Sequence, residues 1–314
     1  MKGGSPVKPI VREELVEAGV KDVRINEPMS NHTTWRVGGP ADLFIYPRSK
    51  RELERAMRIV HRHGLPWRVI GRGSNLLVRD GGIRGVVFKI GDGLDFLTID
   101  GTSVVAGGGC SLIKLSRQTA KQGLTGLEFA EGIPGTVGGA VYMNAGAHGS
   151  ETSRVLTSAE VLLESGERVV LSNEELEFRY RTSVLQGKMR GIVTEASFQL
   201  VYGDPQKIAS EMARYRDRRK QTQPLQYPCA GSVFRNPPGD HAGRLIEASG
   251  LKGYRVGDAE VSTQHANFII NRGRATATDV LALIEHIVRT VEERFGVRLK
   301  TEVQVVGELE APHS

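Results

Sequence analysis

Apolar residues recur along this chain with two periods, and each period marks a different kind of element. Leu53, Ala56, Met57 and Val60 fall on one side of a 3.6-residue repeat, with charged residues between them, which predicts a helix over 49–63. Ser49 and Glu52 have the spacing of a capping box, and Gly64 supplies the stop. Trp67 to Ile70 follow as a strand that runs straight into Gly71-Arg72-Gly73-Ser74-Asn75. The unit therefore reads helix, strand, glycine loop, with the loop at the carboxyl end of the strand, where ligands often sit. A second helix is predicted from Leu112 to Gln122, ended by Gly123, and short strands recur through 155–171 and 191–202. A basic helix over Pro205 to Lys220 leads into a stretch holding Pro224 and Pro228, where a domain boundary is placed. The longest amphipathic helix runs from Ala277 to Phe295, with Val280, Ile284, Ile287, Val288 and Val291 as its buried face and Gly296 as its stop. A last strand, Leu299 to Val306, alternates. Leu299, Thr301, Val303 and Val305 face one way; Lys300, Glu302 and Gln304 face the other.

Glycine changes this picture most. Of the 38 glycines, 19 lie between Gly71 and Gly149, interleaved with Val, Ile, Leu and Phe, which reads as short strands joined by tight turns. At 314 residues the chain is long for one core, so two or three domains are expected. With 39% hydrophobic and 25% charged residues and a mean hydropathy of -0.25, neither a disordered chain nor a coiled coil fits. The start, MKGGSPVKPIVREEL, has no apolar core of the secretory kind, so no secretory signal is expected. The longest uncharged stretch is too rich in glycine for a membrane helix. Two cysteines without a CxxC, and one close histidine pair at i and i+2, argue against a disulfide framework and a metal site; a reducing cytoplasm is the default. The formal charge of +6 suits a phosphate-bearing partner without choosing between nucleic acid and a nucleotide-type molecule.

Five segments bear on chemistry. In Gly71–Asn75, successive N–H groups can form an anion-binding nest, although a glycine pair after a strand is also an ordinary turn; the segment is neither GxGxxG nor the lysine-bearing phosphate loop. Residues 131–147 hold five glycines, no positive charge and one polar pair, Thr136 and Asn144, a pattern suited to backbone recognition of a pyrophosphate or to a packed loop. In Phe178-Arg179-Tyr180-Arg181-Thr182, Arg179 reads as a solvated surface group, whereas Tyr180 and Arg181 can present a planar cation to a carboxylate. Ser232 lies between a glycine and a strand-like Val-Phe; no GxSxG surrounds it, which disfavours an acyl-transfer nucleophile. Glu302 lies on the polar side of the last strand, where most glutamates face solvent. The cluster Arg214, Arg216, Arg218, Arg219 and Lys220 suits a solvated helix face, a nucleic-acid patch or a diphosphate site, and with Tyr215 as its only aromatic neighbour single-strand stacking is poorly supported.

Taken in order, GRGSNLLV (71–78), GIPGTVGGAVYMNAGAHG (132–149), FRYRTS (178–183), GSVFRNP (231–237) and LKTEVQVVG (299–307) resemble the UDP-N-acetylenolpyruvoylglucosamine reductase family from about Asn31 onward. The short segment between Arg181 and the next strand resembles the subclass without an extra tyrosine-bearing loop. The resemblance implies an α+β chain: a two-part FAD-binding module of vanillyl-alcohol-oxidase (PCMH) type and a C-terminal α+β substrate-binding domain. It divides the chain into an N-terminal extension and helix (1–30), a first FAD-binding subdomain (31–95, rejoined by the closing strand 299–307), a second (96–204) and a substrate domain (205–298).

The family implies FAD held without a covalent bond, NADPH as co-substrate, no metal, and UDP-N-acetylglucosamine enolpyruvate as substrate in peptidoglycan precursor synthesis. By motif match, Gly71, Arg72, Gly73, Ser74 and Asn75 line the flavin dinucleotide. So do Gly132, Ile133, Pro134, Gly135 and Thr136, and after them Gly138, Gly139, Asn144 and Gly146. Arg181, Ser232 and Glu302 match the catalytic positions, and Lys220, Asn236, Tyr180 and His265 the substrate contacts. Gln304 stands where the family commonly has an arginine. A cytoplasmic monomer that binds neither nucleic acid nor membrane is expected. An FAD-dependent oxidase of the same architecture acting on alcohols or lactones is the competing enzyme, although Gly71–Asn75 lacks the histidine many such relatives use to tether FAD. A basic nucleic-acid-binding protein is the remote alternative, since it leaves the glycine segments unexplained.

Overall fold

The structure, a computed structural model, describes residues 7–309; the head of the expected N-terminal extension lies outside the described residues. The described residues form two compact units, one of residues 7–25, 43–72 and 85–218 and one of residues 26–42, 73–84 and 219–309. Both mix helix and strand, and the chain passes from the first unit to the second inside the glycine loop, between Arg72 and Gly73.

The first unit is built on an antiparallel five-stranded sheet. Its strand order is Arg168–Ser172, Leu156–Leu163, Gly191–Gln199, Ser103–Gly107, Leu97–Asp100. One face packs under helices Leu112–Lys121 and Val137–Met143, closing a core of Val104, Leu115, Phe129, Val141, Val161 and Phe198. A second core gathers around helix Lys50–Arg62, whose Leu53, Ala56, Met57 and Val60 are fully buried as the spacing predicts. Only half of the expected capping box forms there. Ser49 Oγ accepts from Glu52 N at 3.2 Å, but the Glu52 carboxylate is turned to the amides of Lys21 (2.7 Å) and Arg48 (3.0 Å). Glu52 is thereby buried with its charge solvated by backbone donors. Strand Trp67–Ile70 pairs in parallel with Ile83–Lys89, placing Ile70 opposite Lys89 just before the glycine loop.

The second unit centres on helix Ala277–Phe295, ended by Gly296 in the left-handed conformation. Val280, Ile284, Ile287 and Val291 bury against Trp35, Phe234, Leu245 and Ile269. Trp35 is inaccessible to solvent, and its indole nitrogen donates to the carbonyl of Ile269 at 2.7 Å, so a polar edge enters this core without a lost hydrogen bond. The closing strand departs from its predicted form. Regular pairing is confined to Gln304–Val306, parallel to Leu76–Val78, while Thr301 forms an isolated bridge with Phe234. Between these partners the chain bends, and the amides of Glu302 and Val303 converge on the carbonyl of Val233 (2.8 and 3.4 Å). The bend breaks the alternation: Val303 and Val306 are buried and Val305 only partly so.

A carboxylate distant in sequence completes the start of the long helix. Thr276 and Asp279 form the full capping box, and Asp80 accepts from the amides of Ala277 (2.9 Å) and Thr278 (2.8 Å) and from the Thr278 hydroxyl (2.7 Å). Such a cap satisfies amide donors that the helix itself leaves open, at its positive end. Replacing Asp80 with alanine should destabilise the protein by about 1–2 kcal/mol. Urea unfolding followed by circular dichroism checks this, and an unchanged midpoint rules the cap out as a significant contributor.

Candidate functional site

Within the first unit the two glycine-rich segments meet. Gly71 approaches Thr136 so closely that a Cβ at position 71 would lie 2.5 Å from Thr136 Oγ1. Thr136 and Asn144, the polar pair singled out in the sequence, are both buried, and both cap the short helix between them. The hydroxyl of Thr136 accepts from Gly139 N at 3.3 Å. Asn144 closes the other end at φ 43°, where an asparagine tolerates the left-handed conformation. Its amide donates to the carbonyl of Arg179 (3.1 Å) while its oxygen accepts from Ser153 N (3.0 Å).

These caps change how an anion can be held. The amide of Val137 donates to the carbonyl of Cys110 and that of Gly138 to the carbonyl of Gly108, so both are committed to the protein along with Gly139. In the first glycine segment, by contrast, the amides of Arg72, Gly73 and Ser74 donate to no group among the described residues. Gly73 is left-handed at φ 66°, and a Cβ there would strike the backbone of His32 and Thr33, so only glycine fits. Consecutive open donors of this kind suit a phosphate-bearing cofactor. Cys110, packed behind the second segment, is pushed up to about 12 by burial and the neighbouring Asp95 charge, and burial also raises Cys229.

Arg181 is set at the tip of a two-residue turn. Arg179 and Thr182 exchange both backbone hydrogen bonds at 3.1 Å, leaving Tyr180 and Arg181 between them. Arg181 adopts φ 55°, a conformation costing a non-glycine residue roughly 1–2 kcal/mol. The surroundings hold it there: Gln186 donates to its carbonyl at 3.1 Å, and its guanidinium donates to the carbonyl of Gly146 at 2.6 Å. The same guanidinium lies over the ring of Tyr180, 4.9 Å from the centroid, while half of Tyr180 remains exposed. Arg179 is exposed, as expected of a surface cation.

Within the second unit, six predicted residues fall on connected segments. Gly231, left-handed at φ 72°, turns the chain into Ser232. The following residues are clamped on both sides: Asn267 bonds both backbone groups of Phe234 (3.0 and 2.8 Å), and Arg235 N donates to Lys300 O at 2.9 Å. With Glu302 N on Val233 O, this antiparallel contact joins the segment that carries Ser232 to the segment that carries Glu302. Asn75 joins them, donating to the Glu302 carbonyl at 3.2 Å and accepting from Gln304 N at 3.0 Å. Asn236 Oδ1 accepts from Ala242 N at the start of helix Ala242–Ala248, and Gly243 in that helix faces the ring of His265. His265 accepts from Asn267 N through Nδ1 at 3.2 Å; burial and the Lys252 charge hold it below the usual histidine range, so the ring is neutral near pH 7. Exposed Lys220 joins through its carbonyl, 3.4 Å from Gln264 Nε2. Tyr180 and Arg181 belong to the first unit, with the glycine segment 132–146.

Comparison with known proteins decides the family. The chain is 57% identical to the UDP-N-acetylenolpyruvoylglucosamine reductase of Anoxybacillus flavithermus, over 95% of this chain and 98% of that one. It belongs to the UDP-N-acetylenolpyruvoylglucosamine reductase family. Residues 223–306 match the C-terminal domain of that family, and residues 41–172 match an FAD-binding domain. Among solved structures, the family member from Thermus caldophilus superposes with a TM-score of 0.77 at 39% identity, covering 90% of this chain and 98% of its own. A glucooligosaccharide oxidase from Acremonium strictum, at 16% identity, TM-score 0.50 and 93% coverage of this chain (59% of its own), shares the fold alone. The chain is thus an α+β FAD-dependent oxidoreductase of PCMH architecture with the C-terminal domain of this reductase family. Among the described residues no helix is long and apolar enough to cross a membrane, and no cluster of metal-ligating side chains occurs.

Two features escaped the sequence reading. Glu131, inaccessible beside Gly132, takes a bidentate contact from Arg117 (2.7–3.1 Å) with Arg216 at 3.9 Å, which ties the second glycine segment to helix Leu112–Lys121. Lys89 reaches the first segment, its ammonium 2.6 Å from the carbonyl of Gly71. Its signal in the sequence was a lone lysine closing an apolar strand, Val86-Val87-Phe88. Gly71→Ala should force Thr136 away and weaken flavin retention by at least roughly tenfold, while circular dichroism stays near wild type. Flavin content per purified chain tests this; full occupancy in the variant overturns the contact as a constraint on the cofactor.

Proposed function

We propose that this chain reduces UDP-N-acetylglucosamine enolpyruvate to UDP-N-acetylmuramate with NADPH and non-covalent FAD, as a cytoplasmic monomer in peptidoglycan precursor synthesis. The observation that supports the proposal is the antiparallel contact of residues 233–235 with 300–302, which joins the segment carrying Ser232 to the segment carrying Glu302 in the domain matched to this family. In this reading 31–95 and 96–204 hold the flavin and 205–298 covers the substrate. Gly71 to Asn75 and Gly132 to Gly146 receive the dinucleotide, with the open amides of Arg72, Gly73 and Ser74 as its anion donors.

FAD, when bound, supplies a two-electron relay from NADPH to the enolpyruvyl ether. Hydride arrives at the CH2 carbon, and negative charge builds at the neighbouring carbon and its carboxylate. Arg181, fixed by Gly146 and Gln186, stabilises that charge without reorganising. Ser232 donates the proton to the substituted carbon, and Glu302 organises the protonation. Lys220 and Asn236 take the UDP diphosphate, with Tyr180 and His265 beside the substrate; neutral His265 offers an N–H donor at Nε2.

Ser232→Ala should leave reduction of the flavin by NADPH nearly intact and slow its reoxidation by the enolpyruvyl substrate by roughly 100- to 10,000-fold. Anaerobic stopped-flow absorbance separates the two half-reactions, and unchanged reoxidation rejects Ser232 as the acid. Glu302→Ala should reduce kcat by at least roughly 100-fold and harm turnover far more than melting temperature, because its backbone bonds to Val233 and Asn75 survive truncation. Normal turnover in that variant returns Glu302 to the surface.

A further inference from the structure

Lys89 is a half-buried cation without a counter-charge. Its ammonium makes one hydrogen bond, to the carbonyl of Gly71, and among the described residues no carboxylate lies within ion-pair reach of it. The charged groups that act on it are Arg72, which repels, and Asp92, which attracts more weakly. Burial comes first among the causes that bring Lys89 down to about 8. A partly desolvated ammonium beside a second cation is unfavourable unless an anion completes the site. Gly71 is the residue in contact with Thr136, and Arg72 carries the first of the open amides. The positive charge is therefore concentrated where the two glycine segments meet.

We propose that Lys89 is an anion-recognition residue of the flavin site, its ammonium compensated by the diphosphate of bound FAD. This rests on the FAD reading above and adds a side-chain cation to a site whose sequence pointed only to backbone donors. Two consequences follow. Removing the ammonium weakens the phosphate-bearing ligand selectively. In addition, because the protonated form binds, FAD affinity falls as pH rises through about 8, by up to roughly tenfold per pH unit until the bound form also loses its proton.

The test uses purified holoenzyme, diluted at pH 7.0 to 9.5, with released flavin followed by its fluorescence, together with riboflavin, which lacks phosphate, as a second ligand. Lys89→Met should raise the Kd for FAD roughly 10- to 100-fold at pH 7, leave riboflavin binding unchanged and flatten the pH profile. Lys89→Arg should stay within a few-fold of wild type at pH 7 and remain tight at pH 9, since guanidinium does not titrate there. Wild-type Kd and pH slope in Lys89→Met overturn the proposal, as does an equal loss of FAD and riboflavin. Should Lys89→Met fail to fold, the arginine variant decides alone: a wild-type pH slope in it assigns the titration elsewhere and overturns the proposal. A wild-type protein that holds no flavin at any pH refutes the FAD reading itself, a result distinct from flavin retained equally by wild type and variant.

Discussion

A missing methyl-sized volume organises the flavin-binding unit. The backbone at Gly71 can lie against Thr136 only because nothing projects from its Cα, and through that contact a strand-end loop and a helix-start loop share one surface. Thr136 is at once the neighbour of Gly71 and the cap of helix Val137–Met143, so the same hydroxyl fixes the helix and defines the approach. Around it the amides divide in two: those of the second segment lock the fold together, and those of Arg72 to Ser74 stay open. The glycine content of this region reflects a need for proximity more than for flexibility.

A comparable economy governs the other unit. The carbonyl of Val233 receives two amides from the bend at Glu302 and Val303, and Asn267 brackets Phe234 from the opposite side. Ser232 and Glu302 thus inherit their places from backbone hydrogen bonds of their segments. Arg181 is held differently, by a tight turn in an unfavourable conformation that Gln186 and Gly146 stabilise. Strain of this sort is retained where surrounding contacts over-determine the position.

Much of this was legible before any coordinates. Helix Ala277–Phe295 matches its predicted bounds and strand Trp67–Ile70 does likewise, because each combines a clean period with an unambiguous glycine stop. The closing strand was overextended: alternation describes a strand that keeps one partner, and this one changes partner at Glu302. Nor could spacing reveal that Asp80 caps a helix starting at Ala277, or that Lys89 reaches Gly71, since both depend on pairings between distant segments. Glu52 shows the same limit on a small scale, its side chain drawn from the expected cap to Lys21 and Arg48. The motifs marked Ser232, Glu302 and Arg181, but their settings came from tertiary contacts.

The burial of Cys110 and the half-burial of Cys229 bear on how the protein can be attacked chemically. Thiolate is the reactive form of cysteine, and at about 12 for Cys110 about one molecule in 100,000 carries it at neutral pH. Cys229 is shifted in the same direction. Electrophiles and mild oxidants that disable enzymes through an activated sulfur therefore meet a buried, protonated thiol at Cys110.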